Sequence, residues 1–207
     1  MKIRKSIKRI ISLTAFALFF GGCGGIEPEK RDYPLSLAWD YQEGSYTLIY
    51  GMAELSEMTE QQKGDENTPP GLMVQGASLD ELRAEYVKSQ QYYLDLGHVQ
   101  AVIFSQRLLE QPDAYGIVVE GMQKNPILGK NAYVFAVDAP EEVMKLGGQK
   151  EDTIGEYLTG IYENHMQTQK DGVTLEELYY DWNNEGKITS LPRLIAEKGQ
   201  VVLCEEV

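Results

Sequence analysis

The sequence predicts a single domain of mixed α/β class, a mixed β-sheet with packed helices (α+β in its early hairpin). Two short apolar runs, "HVQAVIFS" at His98–Ser105 and "NAYVFAVD" at Asn131–Asp138, have the length and hydrophobicity of central strands. Three capping boxes, Ser78 with Glu81, Thr153 with Glu156 and Thr174 with Glu177, each open a helix. Strand and helix signals alternate through much of the chain, and a hairpin near its start adds antiparallel strands.

The elements follow in order. Lys2, Arg4, Lys5, Lys8 and Arg9 precede the uncharged run Ile10–Phe20, and Gly21-Gly22 supplies the small residues that signal cleavage needs. An eleven-residue run rises about 16 Å as a helix, roughly half of a hydrocarbon core, so it is too short to span a bilayer. Residues 1–22 are therefore expected to be removed. The stretch "FGGC" at Phe20–Cys23 resembles a bacterial lipoprotein signal, with Phe20 where such signals prefer leucine. That resemblance implies a diacylglycerol on the Cys23 sulfur and Cys23 as the new N-terminus. Cleavage without lipidation is the other outcome of the same leader. Residues 23–32, with "GGIEPEKRD", are expected to form a flexible tether.

The domain is expected over 33–207. Leu35–Asp40 and Ser45–Met52 alternate, and "YQEG" between them predicts a hairpin turn at Gly44. Ser56–Gly71, polar and ending in Pro69-Pro70-Gly71, predicts a long loop. "LMVQGA" is a short strand. The Ser78 box opens a helix to about Leu94, with Leu79, Leu82, Tyr86 and Tyr93 near one face, and Gly97 ends the unit. After the first central strand come helices at Gln106–Gln111 and Ala114–Lys124. After the second, Asp138 with Glu141 opens a helix to Leu146 that Gly147-Gly148 closes. Helices at Ile154–Gln167 and Leu175–Asn183 and a last strand at Gly199–Cys204 complete the chain.

The chain carries 19 cations and 32 acids, a net charge of -13, and five of the cations lie in the leader, so the mature chain holds about -18. Such an excess argues against nucleic acid, whose binding needs cations at phosphates, and against flat docking on anionic lipid. With Cys23 acylated, Cys204 has no disulfide partner. It lies in "QVVLCEEV" and is expected to be a small buried filler, since Glu205 and Glu206 oppose a reactive thiolate.

No catalytic, cofactor-binding or metal residues are predicted. His98 at a strand start and His165 late in a helix stand in no paired ligand spacing, and no Walker loop, GxGxxG or GxSxG occurs. Asp181, Asn183, Glu185, Gly186 and Ile188 match the first positions of a calcium loop. Pro192 stands where the closing glutamate belongs, so a polar turn capped by Gly186 is expected instead. The pairs Tyr92-Tyr93 and Tyr179-Tyr180 are expected to hold one core and one half-exposed ring each, because adjacent helical residues diverge by about 100°.

The ordered set of segments resembles the N-terminal domain of the spore germination receptor C-subunit family, Ger(x)C. The stretches that carry it are "EPEKRDYPLSLAWDYQEGSYTLIYGM", "GASLDELRAEYVKSQQYYLDLGHVQAVIFSQRLLEQ", "KNPILGKNAYVFAVDAPEEVMKL" and "LPRL". Together they cover most of residues 30–195. The resemblance implies a non-enzymatic lipoprotein of the inner spore membrane that acts with two integral membrane subunits in sensing small germinants. It implies no cofactor, carries over no ligand residues, and gives Gly97-His98 a structural role. Family members usually continue into further domains, so the match is to their first. The rival readings are an extracytoplasmic solute-binding or general envelope lipoprotein, although 185 mature residues are few for two closing lobes, and an envelope hydrolase, for which no nucleophile–base set is visible.

Overall fold

Residues 27–52, 71–147, 153–164 and 172–204 are described in the computed structural model. The predicted leader, Cys23, residues 56–70 of the predicted loop, Gly148 and His165 lie outside the described residues. The chain divides into two units, Met1–Lys30 and Arg31–Val207. Of the first, residues 27–30 are described, with a 3-10 turn at Pro28–Lys30.

The second unit holds nine strands and six α-helices among its described residues: β1 (Arg31–Asp32), β2 (Pro34–Gln42), β3 (Ser45–Met52), β4 (Leu72–Gly76), α1 (Leu79–Ser89), β5 (Tyr93–Leu94), β6 (Ala101–Ser105), α2 (Gln106–Leu109), α3 (Pro112–Gln123), β7 (Tyr133–Val137), α4 (Pro140–Gly147), α5 (Ile154–Glu163), α6 (Leu175–Glu185), β8 (Arg193–Glu197) and β9 (Gln200–Cys204). Seven strands form one mixed sheet in the order β4-β3-β2-β6-β7-β8-β9. The inner strands β2, β6, β7 and β8 are parallel, and antiparallel strands flank them on both sides. The mixed α/β class read from the sequence is the class observed.

Alternation of side chains sorts the core into two layers. Leu37, Trp39, Leu48, Tyr50, Val102, Phe104, Val134 and Ala136 pack with Leu82 and Tyr86 of α1, Val118 and Val119 of α3, and Leu175 and Leu178 of α6. Ala38, Ile49, Ala101, Ile103, Phe135 and Val137 pack with Val143 and Met144 of α4 and Leu158 and Tyr162 of α5. The sheet is thus sandwiched between helices. All five residues of β6 are buried, which is why its sequence is a continuous apolar run rather than an alternating one.

The hairpin between β2 and β3 turns through Glu43 (φ 52°) and Gly44 (φ 83°). Two positive φ values make the tight turn whose twist matches the flanking strands, and glycine accepts the second without a Cβ penalty. Ser78, Thr153 and Thr174 all cap their helices by accepting from the amide three residues on.

Several expectations are corrected. The helix opened by Ser78 stops at Ser89, not Leu94. The Ser89 hydroxyl donates back to the carbonyls of Glu85 and Tyr86 (2.9 and 3.2 Å), Gln90 turns extended, and the chain enters β5. Tyr93 is therefore off the helix, and Tyr92 and Tyr93 are both exposed, whereas Tyr179 is buried and Tyr180 exposed. His98 ends a 3-10 turn, Leu96–His98, and the strand begins at Ala101. Helix α5 ends at Glu163, short of Gln167, with Asn164 as its cap. The strand β8 was not anticipated; it offers one buried residue, Leu194, and so little pattern. Cys204 is exposed rather than a core filler. Alternation in the edge strand β9 turns Val201 and Leu203 to the α4–α5 layer and leaves Val202 and Cys204 outward.

Helix α5 crosses close to β2. A Cβ on Gly155 would lie 2.5 Å from the Leu35 carbonyl oxygen. Alanine would favour an isolated helix by about 1 kcal/mol, yet Gly155→Ala is expected to destabilise the domain by about 1–3 kcal/mol through this overlap. Urea unfolding of the two proteins checks the sign, and a stabilised variant would contradict the close approach.

Candidate functional site at the proximal end

The domain begins at Arg31, ahead of β2, and this end carries a connected set of side-chain interactions. The strands β1 and β5 pair in parallel, Arg31 with Tyr93 and Asp32 with Leu94. The Asp95 amide donates to the Asp32 carbonyl (2.9 Å), and the Gln100 amide donates to the Leu35 carbonyl (2.8 Å). A two-residue strand pair is marginal alone, and side chains hold this one. Arg31 Nη1 donates to Asp95 Oδ2 at 2.6 Å. The Gly97 amide donates to Asp95 Oδ1 at 3.0 Å, so one carboxylate both caps the 3-10 turn and binds the arginine. From α1, the Tyr86 hydroxyl donates to Asp32 Oδ2 at 2.6 Å.

Aromatic rings surround this clamp. The Arg31 guanidinium lies 6.0 Å from the Tyr93 ring centroid, within cation–π range. Tyr33 meets His98 edge to face at 5.0 Å. A Cβ on Gly97 would lie 3.1 Å from Asp95 Oδ1 and 3.2 Å from Ile127 Cγ2, so the turn packs closely on the loop after α3.

Two groups of the clamp have shifted titrations. The Gly97 amide, then the Arg31 guanidinium, holds the buried Asp95 carboxyl below the usual carboxylate range against the opposing effect of burial. Burial, reinforced by the Asp32 carboxylate it donates to, pushes the Tyr86 hydroxyl well above its ordinary value, so it stays a neutral donor. Asp95 is thereby favoured as a charged acceptor and Tyr86 as a neutral donor, the two roles a clamp needs.

At the opposite end, β2, β6 and β7 finish in or beside Asp40, Ser105 and Asp138. Arg107 grips Asp40 with two bonds, Nε to Oδ1 at 3.2 Å and Nη2 to Oδ2. Ser105 accepts from the Leu108 amide at 3.0 Å and caps α2. Arg193 pairs with Asp138. A cleft of about 410 Å³ lies between the hairpin and α2, lined by Gln42, Glu43, Arg107 and Glu110 among others. A second, of about 420 Å³, lies between the starts of β6 and β7 and helix α5.

The predicted site residue Cys23 lies outside the described residues. Asp181, Asn183 and Glu185 lie along α6, and Gly186 caps it in the left-handed region (φ 60°). That spacing belongs to a helix end, as expected for a polar turn. Among the described residues, no three His, Cys, Asp or Glu side chains are grouped to hold a metal. No helix among them is long and apolar enough to cross a membrane. The clamp residues Arg31, Asp32, Tyr86 and Asp95 escaped the sequence reading. Arg31 and Asp32 read as tether from their polar surroundings, and only the Asp95-x-Gly97 turn carries a local signal.

The described elements form a three-layer α/β domain. The family model for the spore germination protein N-terminal domain matches residues 25–196, and the chain belongs to that family. The match begins two residues after Cys23. No curated protein and no solved structure matches the chain.

Two variants test the clamp. The depressed Asp95 carboxyl stabilises the fold fully above its ordinary pKa of 3.8, and this contribution is lost as pH falls through the lower folded value. Relative to Asp95→Asn, the wild type is therefore expected to lose its advantage in acid, seen in urea midpoints across a pH series; a gap that widens on acidification would contradict the clamp. Tyr86→Phe is expected to cost about 1–2 kcal/mol, read by the same unfolding experiment.

Proposed function

We propose that this chain is a lipid-anchored, non-enzymatic subunit or accessory protein of a spore germinant receptor complex. The observation that carries the reading is the position of the germination-family domain, matched from residue 25, directly behind the predicted leader 1–22 and Cys23. In this reading the Cys23 sulfur bears a diacylglycerol, and the amine released by cleavage takes a further acyl chain such as palmitate. Two acyl signals hold a protein stably where one is marginal. The domain then stands on the extracytoplasmic face of the cell membrane, in spores the inner membrane, and contacts the integral membrane receptor subunits. The pairing of Asp40, Asp95 and Asp138 with arginines supports a scaffold role, since it occupies groups that acid–base chemistry would need.

Fractionation of dormant spores and vegetative cells tests this. The wild-type protein is expected in the spore inner membrane, and a Cys23→Ala variant in the soluble fraction. Abundance in vegetative membranes with none in spores would contradict the germination role. Membrane retention of Cys23→Ala would contradict the lipid anchor.

A further inference from the structure

The cleft between the β2–β3 hairpin and α2 lies at the carboxyl ends of β2 and β6, away from the clamp. Its volume of about 410 Å³ falls within the range of small-molecule sites. Ligands of open α/β sheets bind outside the carboxyl ends of the parallel strands. One guanidinium dominates this cleft. Asp40 is buried, and its carboxylate accepts from the Tyr41 amide (2.8 Å) and from Nε (3.2 Å) and Nη2 of Arg107. Two of the five N–H groups that a guanidinium carries thus hold it in place. Arg107 lines the cleft with its side chain 48% exposed, and its remaining N–H groups have no protein partner among the described residues.

Two carboxylates line the same cleft. Glu43 stands at the hairpin tip, exposed, and Glu110 accepts from Gln106 Nε2 at 3.1 Å through one oxygen, leaving the other open. The ion pair of Arg107 is with Asp40, not with either of them. The cleft therefore offers a fixed fork of donors beside two exposed acids. A guanidinium edge matches a carboxylate, which accepts two parallel N–H bonds. The two acids call for an ammonium group. A simple anion would be repelled by Glu43 and Glu110, and a simple cation would leave the guanidinium edge unmatched. A molecule that carries both charges answers both demands. Gln42 and Gln111 add amide donors and acceptors to the lining, which suits a polar side chain.

We propose that this cleft binds a small zwitterion, an α-amino acid with a polar side chain, its carboxylate on Arg107 and its ammonium group on Glu43 and Glu110. Asp40 is a positioning residue that holds the guanidinium in place. The site lies wholly within the described residues and depends neither on the lipid anchor nor on the receptor role proposed above.

The test uses the full chain, expressed with its leader and purified in mild detergent. Equilibrium dialysis against tritiated L-glutamine, L-serine and L-asparagine is expected to show saturable binding of at least one of them, one molecule per chain. The N-acetyl form of the bound amino acid lacks the ammonium charge, and its amide lacks the carboxylate. Each is expected to compete at least about tenfold more weakly than the parent. Glu43→Gln combined with Glu110→Gln is expected to weaken binding about tenfold or more while leaving the urea midpoint unchanged, since both side chains are exposed. Arg107→Gln is expected to abolish binding. That variant also leaves the buried Asp40 carboxylate unpaired, so the double glutamine variant decides if it fails to fold. Absence of saturable binding by all three amino acids would overturn the site. So would equal competition by either blocked form, or full binding by the folded Glu43 and Glu110 double variant.

Discussion

Strand β2 must be paired on both edges and covered on both faces, and the rest of the domain is arranged to meet that constraint. On one edge it pairs with β3 through a two-residue hairpin, on the other with β6 in parallel. Parallel pairing demands a long crossover, and α1 supplies it. Leu37 and Trp39 call for the α1–α3–α6 layer, and Ala38 for the α4–α5 layer. Small residues let the second layer approach. Ala38 and Ala101 are fully buried, Gly155 passes against the Leu35 carbonyl, and the buried Ser36 hydroxyl lies 3.8 Å from the Met144 sulfur. These contacts place α5 across the start of β2, where the chain joins the domain.

The clamp lies immediately ahead of the same strand. Just before β2 the chain runs through β1, and there Arg31 and Asp32 are tied to Asp95 and Tyr86, groups far away in sequence. Two charge-assisted hydrogen bonds and a short strand pair thus hold these residues to the domain. Such bonds are stronger than neutral ones when their partners are partly buried. The clamp thereby fixes Arg31 and Asp32 against α1 and the turn at Asp95.

Much of this architecture is legible in the sequence, because its signals are local. The runs at Ala101–Ser105 and Tyr133–Val137 announce their burial by lacking polar residues, and Thr153 and Thr174 announce helix starts by the glutamate three residues on. What escaped depends on distance or on edges. Arg31 and Asp95 stand 64 residues apart, and nothing near either predicts the other. The helix from Ser78 was extended to Leu94 on the strength of Tyr93, whose ring in fact lies beside the Arg31 guanidinium. Cys204 was assigned to the core from its apolar neighbours, but on an edge strand only alternate residues find cover. Cys23 is readable as a lipidation candidate from its leader alone, whereas the pairing of Tyr86 with Asp32 becomes visible only once the fold brings the two together.

The most direct test of a receptor role is recovery of the protein with its neighbours. Membranes of dormant spores would be cross-linked and solubilised in mild detergent, the chain captured through an affinity tag, and the co-purifying proteins identified by mass spectrometry. The account predicts integral membrane germinant-receptor subunits, cross-linked to this domain and absent from a capture with an unrelated spore lipoprotein. Recovery of the chain from spore membranes without any such subunit would contradict it.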